Sequence, residues 1–344
     1  MLGCLALMTI GVKEAVGRDA LAGSQACANC HQREYTSQIS TSMAHAMEPV
    51  ADCGILEQHK ILTFREDIYS YRIERRGHES VYTVTDGKST ITVPLQYAFG
   101  LGKAGQTYVF EHEGKMYESR VSFYQAINGL DWTMGARNYR PGNLEEAAGR
   151  MMSRVDAQQC FGCHTTSVLR NAFRLPEALT PGVTCEHCHG SAVAHVEGFR
   201  EGQPVAMKKL SQLSTEDLSD FCGQCHRTWA TIAEDGPHDI NNVRFQPYRL
   251  ANSKCYDASD KRISCTACHN VHEEVIEADS FYDRKCFACH ATRGAHGKPG
   301  TRSCPVGTKD CVTCHMPKLE LPGSHYKFTD HRIRIAKADT AYPP

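Results

Sequence analysis

Cys265-Thr-Ala-Cys268-His269-Asn-Val-His272 sets two thiols three residues apart, follows the second directly with an imidazole, and places another imidazole three residues on. The Cys-x-x-Cys-His part recurs seven times in 344 residues: Cys27/Cys30/His31, Cys160/Cys163/His164, Cys185/Cys188/His189, Cys222/Cys225/His226, Cys265/Cys268/His269, Cys286/Cys289/His290 and Cys311/Cys314/His315. The chain has 18 cysteines and 18 histidines. At that composition chance would give on the order of 0.05 such motifs. Zinc sites also use Cys-x-x-Cys pairs, but their geometry does not ask for histidine in the next position. The pattern is the attachment signature of c-type haem, in which the two thiols bond the porphyrin edge and the adjacent histidine reaches the iron as proximal ligand. Seven covalently bound haem c groups are therefore expected.

A net charge of -1 gives no basic surface for nucleic acid. Porphyrin in such quantity takes the place of much of an aliphatic core. The expected fold is a multihaem cytochrome, mostly irregular with short α-helices around a haem stack, plus a small antiparallel β-rich insert. Covalent haem attachment in bacteria takes place outside the cytoplasmic membrane, so the expected location is periplasmic or cell-surface and extracellular. Residues 1–22 read as a signal or a truncated export segment: Leu2 to Val12 is apolar and Ala20-Leu21-Ala22 resembles a cleavage site, although a basic n-region is missing. Met1-Leu-Gly-Cys4 offers a lipoprotein box as the alternative. No other stretch is long and apolar enough to span a membrane.

The texture divides the chain into a first haem segment (23–60), a haem-free β-rich insert (61–140) and a six-haem region (141–344). Within the first, Gln32 to Met47 reads as helical and carries Met43, His45 and Met47. In the insert, Tyr69–Ile73, Val81–Val84, Thr90–Val93 and Thr107–Phe110 read as strands, with Asp86-Gly87 and Glu113-Gly114 as hairpin turns. The insert is either a docking or lid module or a scaffold wall covering one side of the haem stack. Asn143 reads as the cap of a helix running through Met152. Ser214 reads as the cap of one entering Cys222. From Cys160 the first cysteines are 25, 37, 43, 21 and 25 residues apart, too irregular for a solenoid repeat. Tyr342-Pro-Pro344 reads as a loose tail.

Seven histidines are proximal, which leaves eleven. His45, His59, His195, His272, His296, His325 and His331 are the candidates for distal iron ligands, with Met43 or a surface role as the alternative at His45. His78, His112, His187 and His238 read as non-ligating. On one helical turn His269 and His272 would sit side by side, whereas trans ligands must approach one iron from opposite faces. His272 is therefore expected to reach a neighbouring haem, and His195 likewise. Among the leftover cysteines a disulfide between Cys53 and Cys255 is open.

Cys185-Glu-His-Cys188-His189-Gly with His195, the Cys268-His269-Asn-Val-His272 pattern, and Cys314-His315-Met-Pro-Lys318 followed by His325 and Asp330-His331-Arg resemble bacterial multihaem cytochromes. The resemblance is to the lineage of the tetrahaem cytochrome of ammonia oxidisers, pentahaem nitrite reductase and hydroxylamine oxidoreductase, and covers mainly residues 150 to 335. It implies closely packed bis-histidine haems. A bis-histidine haem is coordinatively full and exchanges electrons only, whereas catalysis needs an open iron position. Nitrite reductases of this lineage carry lysine in place of one motif histidine, and no motif here has that change. The expected function is electron transfer between redox proteins by hopping through packed haems. The alternatives are an oxidoreductase with one open haem acting on a nitrogen or sulfur compound, and a self-assembling filament subunit.

Overall fold

The computed structural model describes residues 20–166, 179–290, 304, 306–307, 309–337 and 342. His296 and Cys4 lie outside the described residues.

The chain enters through α1 (Ser24–Ala28) and α2 (Gln32–Gln38). The helix expected to reach Met47 stops at Gln38. There the Thr41 hydroxyl donates to the Gln38 carbonyl (2.8 Å) and accepts from Ala44 N (3.2 Å), a local bond that competes with helix continuation. Met47 instead begins β1 (Met47–Pro49), and α3 (Gly54–Gln58) follows.

A meander then runs through β2 (Ile61–Glu66), β3 (Tyr69–Arg76), β4 (Glu79–Thr85), β5 (Thr90–Phe99), β6 (Gln106–His112), β7 (Lys115–Tyr124) and β8 (Gly129–Trp132), each antiparallel to the one before. β3 shows why these residues form strands: Tyr69, Tyr71, Ile73 and Arg75 are buried and alternate with more exposed neighbours, the period of a pleated strand. Glu113 and Gly114 take φ of 49° and 72°, as a two-residue type I′ turn requires. The Asp86 carboxylate accepts from the amides of Lys88 (2.8 Å) and Ser89 (2.7 Å) and so fixes the other hairpin.

The sheet is larger than the small insert expected, with nine strands. It also draws on chain outside the meander: β1 pairs with β5, and β9 (Gly149–Met151) with β7. It curls until β2 and β8 meet through side chains. Phe64 packs edge-on against Trp132 with centroids 5.1 Å apart. Arg120 makes a two-pronged bond to Glu66, Nε to Oε2 and Nη2 to Oε1, at 2.7 Å each. The result is a nearly closed barrel filled by Tyr71, Ile73, Tyr82, Val84, Tyr108 and Phe110.

The helix capped by Asn143 is α4 (Leu144–Ala148), and Asn143 Oδ1 accepts from Glu146 N at 2.8 Å. It ends at Ala148 rather than at Met152. Gly149 lies directly against the Glu118 carbonyl, where a Cβ could not fit, and carries the chain into β9. α4 closes one end of the barrel through Tyr82 Oη, which donates to Ala148 O (2.9 Å), and through a Tyr117–Glu145 hydrogen bond. Cys53 is buried in the barrel wall, donating to Gln106 Oε1 (3.2 Å), and is not bonded to Cys255, which lies exposed.

The rest of the chain is short helices and loops, as expected: α5 (Arg154–His164), α6 (Cys185–His189), α7 (Val193–Arg200), α8 (Thr215–His226), α9 (Trp229–Asp235), α10 (Gln246–Ala251), α11 (Cys265–Cys268), α12 (Asp283–His290) and α13 (Cys311–His315), then the hairpin β10 (Lys318–Glu320) and β11 (Lys327–Thr329). Ser214 caps α8, accepting from Asp217 N at 3.0 Å. The tail is not loose at Tyr342, whose hydroxyl donates to Asn242 Oδ1 (2.6 Å) and whose ring lies 4.6 Å beneath the Arg249 guanidinium. The bonded links that join the barrel side to the helical side include His325 to Asp131, Lys103 to Glu277, and Ser42 to Glu274.

Phe110 is fully buried between Tyr82 and Tyr117, with centroids at 5.5 and 5.4 Å. Phe110→Ala should cost the barrel about 3–5 kcal/mol. Amide exchange in β4 to β7 should speed up accordingly, while the haem count by mass stays that of the parent protein.

Candidate haem centres

Each Cys-x-x-Cys-His lies on a short helix or at its end, so that cysteines three apart fall on one face. Thiols of different motifs lie near enough to act on one another in four pairs: Cys27 with Cys185, Cys163 with Cys225, Cys222 with Cys265, and Cys286 with Cys311. Burial pushes Cys160 up to about 11 and raises Cys188 and Cys268. The neighbouring Cys225 draws Cys163 down to about 7.

Cys30 and Cys289, both expected as haem thioethers, stand outside these thiol pairs. Cys30 falls beyond the last residue of α1, in a turn closed by its amide on the Cys27 carbonyl (3.1 Å), and its thiol is exposed. Cys289 sits in the last turn of α12, half-buried, on the side of the Arg262 guanidinium rather than of another motif's thiol. The structure therefore does not gather all the motif thiols into one buried cluster. For Cys30 and Cys289 the attachment role rests on their place in the motif, three residues after Cys27 and Cys286. Cys314, the last of the second cysteines, is likewise exposed, and accepts from the Thr313 hydroxyl at 3.8 Å.

Among the described residues no three His, Cys, Asp or Glu side chains converge as a metal site of their own. A donor set of thiol pairs spread beside single imidazoles suits a porphyrin, which brings its own four nitrogens.

Carboxylates join neighbouring attachment helices. Glu186, buried between the two cysteines of the third motif, accepts from the amides of Ala22 (2.9 Å), Gly23 (2.8 Å) and Ala192 (2.8 Å), and so holds the start of α1. Asp283, at the start of α12, accepts from the amides of Asp310 (2.7 Å) and Cys311 (2.8 Å) at the start of α13. These bonds to amide donors hold the Asp283 carboxyl below its usual range against a smaller effect of burial. Gly182 completes the contact between the first and second motifs: it lies where a Cβ would strike the Ala44 carbonyl, and takes φ +72°.

The histidine rings show which nitrogen is available for iron. Nδ1 lies against a backbone carbonyl in His164 (Ala46, 2.8 Å), His189 (Lys208, 3.2 Å) and His315 (Arg334, 3.0 Å). The same is true of His195 (Val205, 2.6 Å) and His331 (Thr329, 3.0 Å). A carbonyl accepts only, so Nδ1 carries the proton and Nε2 the lone pair, as in metal-bound imidazoles generally. Desolvation holds His164 and His269 below the ordinary imidazole value. It brings His331 down to about 4, against the Thr329 bond that raises it. Neutral imidazole is the ligating form.

Two pairs of rings face each other. His189 and His272 have centroids 6.2 Å apart and planes 7° from parallel; His269 and His331 are also 6.2 Å apart, tilted by 39°. Imidazole nitrogen binds a divalent first-row metal at about 2 Å, which puts two rings trans on one ion roughly 6 Å apart, centroid to centroid. The structure thus brings His272 to His189 rather than to His269. The route differs from the helical one expected, since α11 ends at Cys268 and His269 is already extended, with ψ of 138°.

The remaining distal candidates sit differently. His45 has Nδ1 on the Glu48 carboxylate (2.9 Å) and Nε2 on the Ile39 carbonyl (3.0 Å). His325 places Nε2 on Asp131 (2.7 Å), against the Tyr124 ring. His59 packs against Phe123 at 4.9 Å. His187, read as non-ligating, has its Nδ1 on the Thr165 carbonyl at 2.9 Å. Sequence reasoning missed Glu186 and Asp283; an acidic residue within or just before a haem motif is the available signal.

A family model described as "Cytochrome c554 and c-prime" matches residues 132–190, the stretch holding the second and third motifs. The chain is 24% identical over 245 residues to the multiheme cytochrome MtrA of Shewanella baltica (strain OS185), covering 66% of this chain and 68% of that protein. No solved structure is found to match. With the motifs, these findings define a bacterial multihaem c-type cytochrome. Its chemistry is that of electron transport on covalently bound haem c. Among the described residues no helix is long and apolar enough to cross a membrane.

Glu186→Gln keeps the side chain's shape and removes its charge. It should cost about 1–3 kcal/mol, seen as a lower melting temperature and as lost exchange protection at the amides of Ala22 and Gly23.

Proposed function

We propose that this protein conducts electrons through seven haem c groups, most of them bis-histidine, between redox partners outside the cytoplasmic membrane. The observation that carries the reading is the pair of facing imidazole sets, His189 with His272 and His269 with His331, each 6.2 Å apart. Haem c, when bound, supplies the one-electron iron couple. The chain supplies everything that sets its position and environment. Fourteen motif thiols tether the porphyrin edges, the exposed Cys30 and the half-buried Cys289 among them, and His31, His164, His189, His226, His269, His290 and His315 serve as proximal ligands.

His272, on the peptide of the fifth motif, serves the iron of the third; His331, beyond the seventh, serves that of the fifth. Each distal ligand therefore ties two attachment sites together and keeps the centres close enough for hopping. Nδ1–H bonds to carbonyls hold the rings of His164, His189, His195, His315 and His331 and raise their basicity, one of the protein's means of setting a potential. His195, with the same bond, is a further distal ligand.

One observation favours the second reading, an oxidoreductase with an open iron. Both ring nitrogens of His45 are already engaged, and Nε2 of His325 is held by a carboxylate. If neither turns to iron, at least one centre keeps an exchangeable position.

Low-temperature electron paramagnetic resonance of the oxidised protein, with haem counted by mass, distinguishes the two. All irons low-spin supports the conductor, and a high-spin iron supports the enzyme. His272→Ala should convert one iron to high-spin without losing a haem; loss of a haem would remove the distal role. Cys268→Ala should lower the count instead.

A further inference from the structure

We propose that the buried Arg249–Asp330 ion pair is the positioning element for His331, holding its imidazole at the iron of the His269 haem. The inference rests on the reading that His331 is the distal ligand there. Both side chains are wholly inaccessible to solvent. Arg249 meets Asp330 fork to fork, Nε to Oδ1 at 2.9 Å and Nη2 to Oδ2 at 3.1 Å. Arg334 adds a third donor to Oδ2 at 2.6 Å. On the other side, Asn242 Oδ1 accepts from Arg249 Nη1 (3.1 Å) and from the Tyr342 hydroxyl (2.6 Å). The guanidinium is thus fixed in its plane before it meets the carboxylate.

Asp330 lies between the two groups that set the His331 ring. Thr329 supplies the carbonyl that holds Nδ1, and His331 is the next residue. Asp330 N is itself bonded to Pro317 O at 3.0 Å. Just beyond, Ser253 Oγ donates to the His331 carbonyl (3.1 Å) and accepts from Ile333 N (2.8 Å). Arg249 lies on α10 and Ser253 just after it, and α10 packs on α8, the helix that carries Cys222, Cys225 and His226. The chain around His331 is therefore gripped on both sides by an element referenced to a neighbouring haem.

A buried ion pair is a poor means of adding stability, since a well-packed apolar pair can do as well. A planar bidentate contact does something an apolar pair cannot, fixing orientation as well as distance. An iron ligand on an otherwise irregular strap needs that constraint.

The test uses the fully loaded protein and three variants. Arg249→Lys keeps the charge and loses the fork; the double variant Arg249→Met, Asp330→Leu replaces the pair by apolar groups; His331→Ala is the reference. All are read by haem count and by electron paramagnetic resonance, without and with added imidazole. The expected result is the parent haem count in Arg249→Lys and in the double variant, one iron moved from low-spin to high-spin, and return to low-spin with imidazole. If His331→Ala gives a high-spin iron while both pair variants stay low-spin, the ligand reading stands and the positioning role is overturned. If His331→Ala itself stays low-spin, the ligand reading has failed first. Failure of both pair variants to load the parent number of haems would make the pair a folding element and overturn the proposal as well.

Discussion

A helix of four or five residues cannot be held by its own backbone hydrogen bonds, because nucleation costs more than one turn returns. α1, α6, α11 and α13 are of this length, and each carries cysteines of a haem motif. Their geometry therefore depends on partners elsewhere in the chain, and the structure supplies charged and carbonyl acceptors in place of a continuous apolar core. Glu186 holds the start of α1 and Asp283 the start of α13, in both cases a carboxylate on the exposed amides of a helix N-terminus. The same logic governs the rings: a backbone carbonyl that accepts from Nδ1 satisfies itself and aims Nε2 in one step. Structure on this side of the molecule is a set of pairwise captures around sites where porphyrin is to be the filler.

The barrel obeys the opposite rule. Its strands bury alternate residues against one another, its seam is locked by Arg120 and Glu66, and its end is closed by α4. It needs nothing from the haems to hold its core. It does take β1 and β9 from the haem-bearing segments on either side, so the first and second motifs are anchored to it by hydrogen-bonded strands. His164 carries that anchoring to a ligand, since its Nδ1 rests on Ala46 O, immediately before β1. The barrel is thus a rigid reference for the first two centres, which supports the reading of it as a wall more than as a detachable module.

What could be read from sequence follows the range of the forces involved. The seven motifs, the Asn143 and Ser214 caps and the hairpin at Glu113-Gly114 depend on residues a few positions apart, and are visible as such. Burial of the motif thiols does not: Cys30 and Cys163 hold the same place in their motifs, yet one is exposed and the other faces Cys225. β7 from Ser119 to Tyr124 is buried on both faces, so it has no alternation to read. β9 reads as helix because Leu144 to Met152 has helical composition; the Glu118 carbonyl that ends α4 at Gly149 is distant in sequence. The argument that trans ligands cannot sit side by side on one turn separates His272 from His269, but nothing local points it to His189. Arg249 and Asp330 are separated by 81 positions, and neither carries a mark of the other.

The contacts between motifs do not follow the order of the motifs in the chain. Thiol contacts join the first motif to the third, the second to the fourth, the fourth to the fifth and the sixth to the seventh. The facing imidazoles add links from the third to the fifth and from the fifth to the tail beyond the seventh. A motif linked in this way helps to hold more than one neighbour in place. The fifth motif is the clearest case: Cys265 meets the fourth, His269 meets His331, and His272 meets His189. The stretch from Cys265 to His272 accordingly touches three separate parts of the chain, and a single change there would be felt at more than one of them.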